Sequence, residues 1–169
     1  MVNDIQNKII IVGGGLIGEL LHLMLKSKGF EINHFTKDSS VKNRTFALSP
    51  SSVDWLRSLG LPSIFFESLS EIKSIKIFDS SIKNSVTLNA DEVQKPALAY
   101  MANEKDFDEA IKKTFNNKKN LKKLSTDFEI QKKQDQAILK LPNEDHMASI
   151  IIACDGANSK VREKIAIDL

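Results

Sequence analysis

The chain has 169 residues, 41% apolar and 27% charged, the balance of an ordinary globular protein and enough for one domain or one domain with part of another. Lys and Arg number 24 against 22 Asp and Glu, a net charge of +2 that gives no argument for a nucleic-acid partner. No apolar run approaches the roughly 18 residues of a membrane span, no basic-then-apolar leader opens the chain, and the single cysteine, Cys154, excludes an internal disulfide or a Cys-based zinc cluster. These features together lead to the expectation of a reducing cytoplasm.

Lys8–Val12 is a short β-branched run that reads as a strand buried on both faces, as in parallel sheets. Gly13-Gly14-Gly15 follows at once. Leu16 to Lys28 carries Leu and Met at helical spacing, with Gly29 as its stop. Phe30–Thr36 reads as a second strand. The result is a strand–turn–helix–strand unit of about 30 residues, the size of a right-handed parallel crossover.

Residues 37–48 read as a connection. Ser49-Pro50 then opens a helix, Ser as N-cap and Pro at the first helical position, with Val53, Leu56 and Leu59 on one face and Gly60 at its end. Strands are expected within 71–90, from the alternation at Ile75 and Ile77 and from Val86-Thr87-Leu88. Lys105–Phe115 reads as a helix with Phe107, Ala110, Ile111 and Phe115 on one face, and 116–123 as a polar, lysine-rich stretch. Phe128–Gln131 and Ala137–Leu141 suit a hairpin around Gln134-Asp135. Ala148–Ala153, apolar but for Ser149, is suited to an interior parallel strand. The order points to an α/β fold, a nucleotide-binding βαβ layer with an inserted antiparallel β section, instead of a plain alternating sheet.

Three segments carry chemistry. Gly13, Gly15 and Gly18 match G-x-G-x-x-G between a buried strand and a helix. Gly13 permits the tight turn, Gly15 leaves room for a pyrophosphate, and Gly18 lets the helix pack on the strand. Gly14, Leu16 and Ile17 complete the turn, whose N–H groups and helix dipole suit an anion. The alternative is a Gly-rich turn without a ligand. An acidic residue for a ribose hydroxyl is expected at the end of the second strand; Thr36 stands there, with Lys37 and Asp38 beyond. Thr36 offers one neutral bond, Asp38 could reach back, and Lys37 keeps a 2′-phosphate, hence NADP, in play.

The second segment is Asp155-Gly156-Ala157-Asn158-Ser159-Lys160-Val161-Arg162, after the apolar run. Its Asp-Gly turn suits close approach of a ligand, with Arg162 on a carboxylate or phosphate. The simpler reading, favoured on this segment alone, is a strand-to-helix turn capped by Ser159. The third is Asn43 to Ser49, where Arg44 is one of three arginines and either a cofactor contact or a surface residue. His22, His34 and His146 have no metal spacing and read as structural. Cys154 reads as a small buried hydrophobe. Lysines at 112, 113, 118, 119, 122 and 123 form a basic cluster, a solvated face or a contact for an anionic membrane surface.

In order and content these segments resemble the FAD-dependent aromatic-ring hydroxylases, in particular the branch acting on prenylated phenols in ubiquinone synthesis. Gly13-x-Gly15-x-x-Gly18 resembles the family's ADP-binding turn. Arg44-Thr45-Phe46-Ala47-Leu48-Ser49 resembles its segment in which an arginine meets the cofactor. Ala99-Tyr100-Met101-Ala102-Asn103 resembles a flavin-lining segment, and Asp155-Gly156 through Arg162 its Asp-Gly motif, which serves FAD and the nicotinamide donor. The resemblance implies a Rossmann-like FAD-binding domain over 1–169 with a β insertion around 71–100. It implies FAD as cofactor, NAD(P)H as electron donor, O2 and a small phenolic substrate; it singles out no catalytic side chain. Peripheral membrane contact and other ubiquinone-biosynthesis proteins are the partners it suggests. The alternatives are another FAD or NAD(P) oxidoreductase of this fold, or an inactive cofactor-binding module. Three positions depart from the family: Thr36 for an acid, His22 for a small residue that packs helix on sheet, and Asn103-Glu104-Lys105 for Glu-Asn-Arg. The later Gly-Asp motif of the family lies outside these residues, so the chain is expected to correspond to an N-terminal portion.

Overall fold

A computed structural model describes residues 7–37, 43–79, 81, 84–115 and 121–167. The chain divides into two compact units: Met1–Ser40 with Phe115–Leu169, and Val41–Thr114.

The first unit is built on a parallel sheet. β1 (Lys8–Val12) leads through α1 (Leu16–Ser27) to β2 (Glu31–Thr36), and β1 lies between β2 and β12 (Ile150–Ala153). β8 (Leu121–Lys123) extends the sheet beyond β2, giving the order β12-β1-β2-β8. Ile9, Ile10, Ile11 and Val12 are all buried, as a central strand covered on both faces requires. On one face Ile10, Val12 and Phe35 pack with Leu124, Phe128, Leu139, Ala148 and Val161. Leu124 and Phe128 lie in the connection after β8; the others come from a three-stranded antiparallel sheet, β9 (Glu129–Lys133), β10 (Gln136–Lys140) and β11 (Asp145–Ala148), and from α5 (Lys160–Lys164). α1 covers the other face.

Under α1 the sheet presents a polar group. His34 is fully buried on β2, flanked by Ile11 and Leu121 of the neighbouring strands, and meets His22 of α1, itself 1% exposed. The ring of Phe115 packs edge-on against His22. Burial, then the neighbouring His34 and Lys26, push His22 from 6.5 down to about 4, and burial lowers His34 as well. Both imidazoles are neutral in the folded chain at pH 7, whereas the unfolded chain takes up protons first as pH falls through 6.5. The stability they confer is therefore complete above 6.5 and drains away toward 4. The urea midpoint should drop between pH 7.5 and 5, and His22→Leu should flatten that slope. A variant slope equal to the parent's would remove the pair from the acid response.

In the second unit β7 (Ala99–Asn103) pairs antiparallel with β3 (Thr45–Leu48) and β4 (Ser70–Ile72). α2 (Pro50–Ser58), α3 (Ser63–Glu67) and α4 (Glu104–Thr114) pack with this sheet and each other through Val53, Leu56, Phe65, Phe107 and Ile111, Phe65 stacking on Phe107 at 4.7 Å. β5 (Ser74–Asp79) and β6 (Asn84–Asn89) form a separate ribbon, exposed nearly throughout.

Several expectations change. The apolar run 148–153 is not one strand: it ends β11 at Ala148, breaks at Ser149, whose N–H and hydroxyl both bond the Lys8 carbonyl, and resumes as β12. The connection 37–48 contains β3, and the lysine-rich stretch ends in β8, a strand held by its place on the edge of β2 and not by apolar content. Asp38 lies outside the described residues.

Candidate cofactor-binding site

β1, β2 and β12 end side by side, and the connections beyond their C-terminal ends form a crevice with β1 at its centre. This is the place where open α/β sheets hold ligands. The Gly-rich turn enters here. The Gly13 N–H donates to the Phe35 carbonyl at 2.8 Å, tying the turn to β2. Gly13 has φ +124°, and a Cβ there would overlap the Cys154 backbone. A Cβ at Gly18 would overlap the Gly13 carbonyl, and one at Gly14 the Thr36 hydroxyl. All three glycines are demanded by the protein's own packing.

Gly15 differs. Its φ of −79° suits any residue, it is exposed, and a Cβ there would meet nothing within 4 Å. It is the N-cap of α1, a helix of 12 residues with no side-chain cap. The first N–H groups of that helix therefore face the open space in front of Gly15, where a side chain would otherwise stand. Free donors at a positive dipole end, with room for close backbone approach, fit a pyrophosphate.

This turn borders a cavity of about 380 Å³, whose walls include Gly13, Gly14, Gly15, Lys37, Leu124 and Cys154, with Asp155, Gly156, Asn158 and Lys160 from the second turn. Gly13, Gly14, Gly15, Lys37, Asp155 and Gly156 thus border one cavity. Leu16, Ile17 and Gly18, in the first turn of α1, are not among the residues that border it. Thr36 lies beneath Gly14, its hydroxyl donating to the Lys37 carbonyl at 2.8 Å. Asn158 and Lys160 belong to the Asp-Gly segment without a role of their own there, whereas Leu124 was not singled out from sequence; it follows the unforeseen β8, its N–H on the Thr36 carbonyl.

The Asp155 carboxylate is occupied by the fold. One oxygen accepts from the Ser159 hydroxyl at 2.6 Å; the other accepts from the N–H groups of Lys160 at 2.7 Å and Val161 at 3.1 Å. Ser159 in turn accepts from the Arg162 N–H, and Arg162 reaches back to the Ala157 carbonyl. The capped-turn reading of this segment is therefore present, and Asp155 shapes the cavity wall by holding the turn. Cys154 has its thiol pushed up, by burial first and by Asp155 second, and stays protonated at neutral pH.

In the second unit, Arg44 precedes β3 and forms a two-point ion pair with Glu104: Nε to Oε2 at 3.0 Å and Nη2 to Oε1 at 2.6 Å. This pairing raises the Arg44 pKa. Asn103 accepts from the Lys105 N–H at the start of α4 and donates to Asn43. Glu104 was not picked out from sequence, because its partner lies 60 residues away.

A larger cavity of about 480 Å³ lies elsewhere in the first unit, bordered by Ile130, Ala137, Ile150, Ile151, Val161 and Ile165, among others. Gln131, Lys132, Asp135 and Gln136 border it as well, but no glycine does, so the smaller cavity at the Gly-rich turn is the better cofactor candidate. Among the described residues no group of three or more His, Cys, Asp and Glu could hold a metal, and no helix is long and apolar enough to cross a membrane.

The comparisons agree with this geometry. Residues 6–169 match the family model described as FAD binding domain. The chain is 28% identical over 172 residues to 3-demethoxyubiquinol 3-hydroxylase of Escherichia coli (strain K12), covering 95% of this chain and 44% of the relative. Among solved structures it resembles p-nitrophenol 4-monooxygenase PnpA from Pseudomonas putida DLL-E4, with a TM-score of 0.70 and 22% identity over 95% of this chain and 43% of that one. It also resembles CtdE in complex with FAD and a substrate, with a TM-score of 0.75 and 20% identity over 97% and 41%. The chain therefore spans under half the length of these relatives. It belongs to the FAD binding domain family, and FAD is its cofactor.

Proposed function

We propose that this chain is the FAD-binding part of a flavin-dependent monooxygenase that hydroxylates a phenolic ring, with a ubiquinone precursor as the substrate class and NAD(P)H and O2 as co-substrates. The observation that carries the proposal is the open space in front of Gly15 at an uncapped helix start, in a chain akin to an aromatic hydroxylase. On this reading residues 1–169 act as one FAD-binding domain into which the antiparallel section is inserted. Gly14, Gly15, Leu16, Ile17 and Gly18 offer backbone N–H groups to the pyrophosphate, and Gly13, its N–H held by the Phe35 carbonyl, sets the turn that presents them. Thr36 and Lys37 serve the adenosine side, and Asp155-Gly156 forms the facing wall. Arg44 and Asn103 are assigned their cofactor contact by resemblance alone. Bound FAD supplies the redox chemistry, taking electrons from the nicotinamide and activating O2; the chain's own residues bind it, orient it and limit water around it. Peripheral contact with an anionic membrane surface, from the cytoplasmic side, belongs to the same reading; of the basic cluster expected from the sequence, Lys118 and Lys119 lie outside the described residues.

The test adds FAD, NAD(P)H and a soluble prenylphenol analogue to the protein and measures nicotinamide oxidation and hydroxylated product separately. Oxidation coupled to product is expected. Bound FAD with neither would reduce the chain to a cofactor-binding module. Arg44→Ala should weaken FAD binding about tenfold, the scale of one charge-assisted contact, and the loss should shrink at high salt. Superimposable titrations of Arg44→Ala and the parent would leave Arg44 as a partner of Glu104 only.

A further inference from the structure

We propose that His22 and His34 form a positioning pair for the cofactor turn: they hold the Gly13 carbonyl inward and so fix the direction in which the Gly14 N–H is offered to a pyrophosphate. The inference rests on the FAD reading of this site and adds residues that no glycine motif includes.

The hydrogen-bond geometry sets the direction of the chain. His34 Nε2 lies 2.8 Å from the Gly13 carbonyl oxygen, and a carbonyl only accepts. His34 therefore carries its proton on Nε2. In a neutral ring Nδ1 is then a bare acceptor, and the atom 3.2 Å from it is Nδ1 of His22. His22 must be protonated there. One tautomer of each ring satisfies every contact: His22 Nδ1–H donates to His34 Nδ1, and His34 Nε2–H donates to Gly13. Burial, which lowers both pKa values, keeps the rings in this neutral state at physiological pH.

The anchored group is the one most in need of an anchor. The peptide between Gly13 and Gly14 is flanked by two residues without a Cβ, so little else restrains its rotation. Among the described residues no peptide is cis, so the Gly13 carbonyl and the Gly14 N–H point in opposite directions within one plane. With the carbonyl held against His34, beside Gly18, the Gly14 N–H is directed away from the pair. Gly14 itself borders the cavity. Two apolar side chains could fill the space under α1 at no desolvation cost, but they would leave this carbonyl unbonded and its peptide free to turn.

The test combines spectra of the unmodified chain with FAD titrations of variants. Long-range proton–nitrogen-15 spectra of the imidazoles should show His34 protonated at Nε2 and His22 at Nδ1. His34→Leu should keep its fold and lose FAD affinity about tenfold, whereas His34→Gln, whose amide N–H reaches the same carbonyl, should recover most of it. A purely structural role would lower the melting temperature of both variants without separating their affinities. A folded His34→Leu with the parent's affinity overturns the proposal, as does a His34 protonated at Nδ1. If His34→Leu does not fold, the tautomers decide: His34 protonated at Nε2 supports the proposal, and any other state ends it. A parent that binds FAD and responds to Gly15→Val but not to His34→Leu overturns the positioning role alone. A parent that binds no FAD overturns the cofactor reading and this inference with it.

Discussion

Gly15→Val is expected to lose FAD binding by about a hundredfold or more while remaining folded. The two halves of that expectation come from the same observation. The backbone at Gly15 lies in the extended region at φ −79°, ψ 172°, which valine favours, and a Cβ there meets no atom within 4 Å. The change in stability should stay within about 1 kcal/mol, the scale of altering an uncapped N-cap position. The new side chain would occupy the place where the pyrophosphate must approach the first N–H groups of α1. Flavin fluorescence quenching and urea unfolding on the same preparation check both halves. Parent-like affinity in a folded Gly15→Val protein would remove the turn from the cofactor site.

Gly13→Ala should fail in the opposite way, by unfolding. Its φ of +124° is open to glycine almost alone, and the added methyl would enter the Cys154 carbonyl, which is backbone and cannot swing aside. Backbone strain and overpacking together should cost about 3 kcal/mol or more. That is a large share of the roughly 5–15 kcal/mol that holds a domain folded. A lower urea midpoint is expected in the absence of any ligand, and an unchanged midpoint would mean that the turn in solution differs from this one. Two glycines two residues apart thus report on separate properties, one on the fold and the other on the ligand.

The contrast also shows what the sequence made legible. The β1-α1-β2 unit could be read because its signals are local: an apolar β-branched run, glycines, then leucines at helical spacing. The motif even distinguished glycines needed for packing from the one that leaves space. Where neighbours in space decided the outcome, local pattern was silent. β8 is a strand because β2 offers an edge to Leu121–Lys123, two of whose three residues are lysines. The run 148–153 conceals a change from antiparallel to parallel pairing at Ser149, since apolar residues look alike in either sheet; β12 is an edge strand, not an interior one, with Ile150 exposed. Asp155 was visible as a turn residue, but its carboxylate is used by the start of α5, which ties it to folding. His22 and His34 read as separate structural histidines, because only the packing of α1 on β2 brings them to 3.2 Å.

The most direct measurement of the central claim is a titration of the nitrogen-15-labelled chain with FAD, followed at every backbone amide. The account predicts that Gly14, Gly15, Leu16 and Ile17 shift together along one saturation curve, with Gly156 moving on the facing turn. Shifts confined to Ile130, Ala137, Ile150 and Ile165, around the larger cavity, or no saturable shift at the Gly-rich turn, would contradict it.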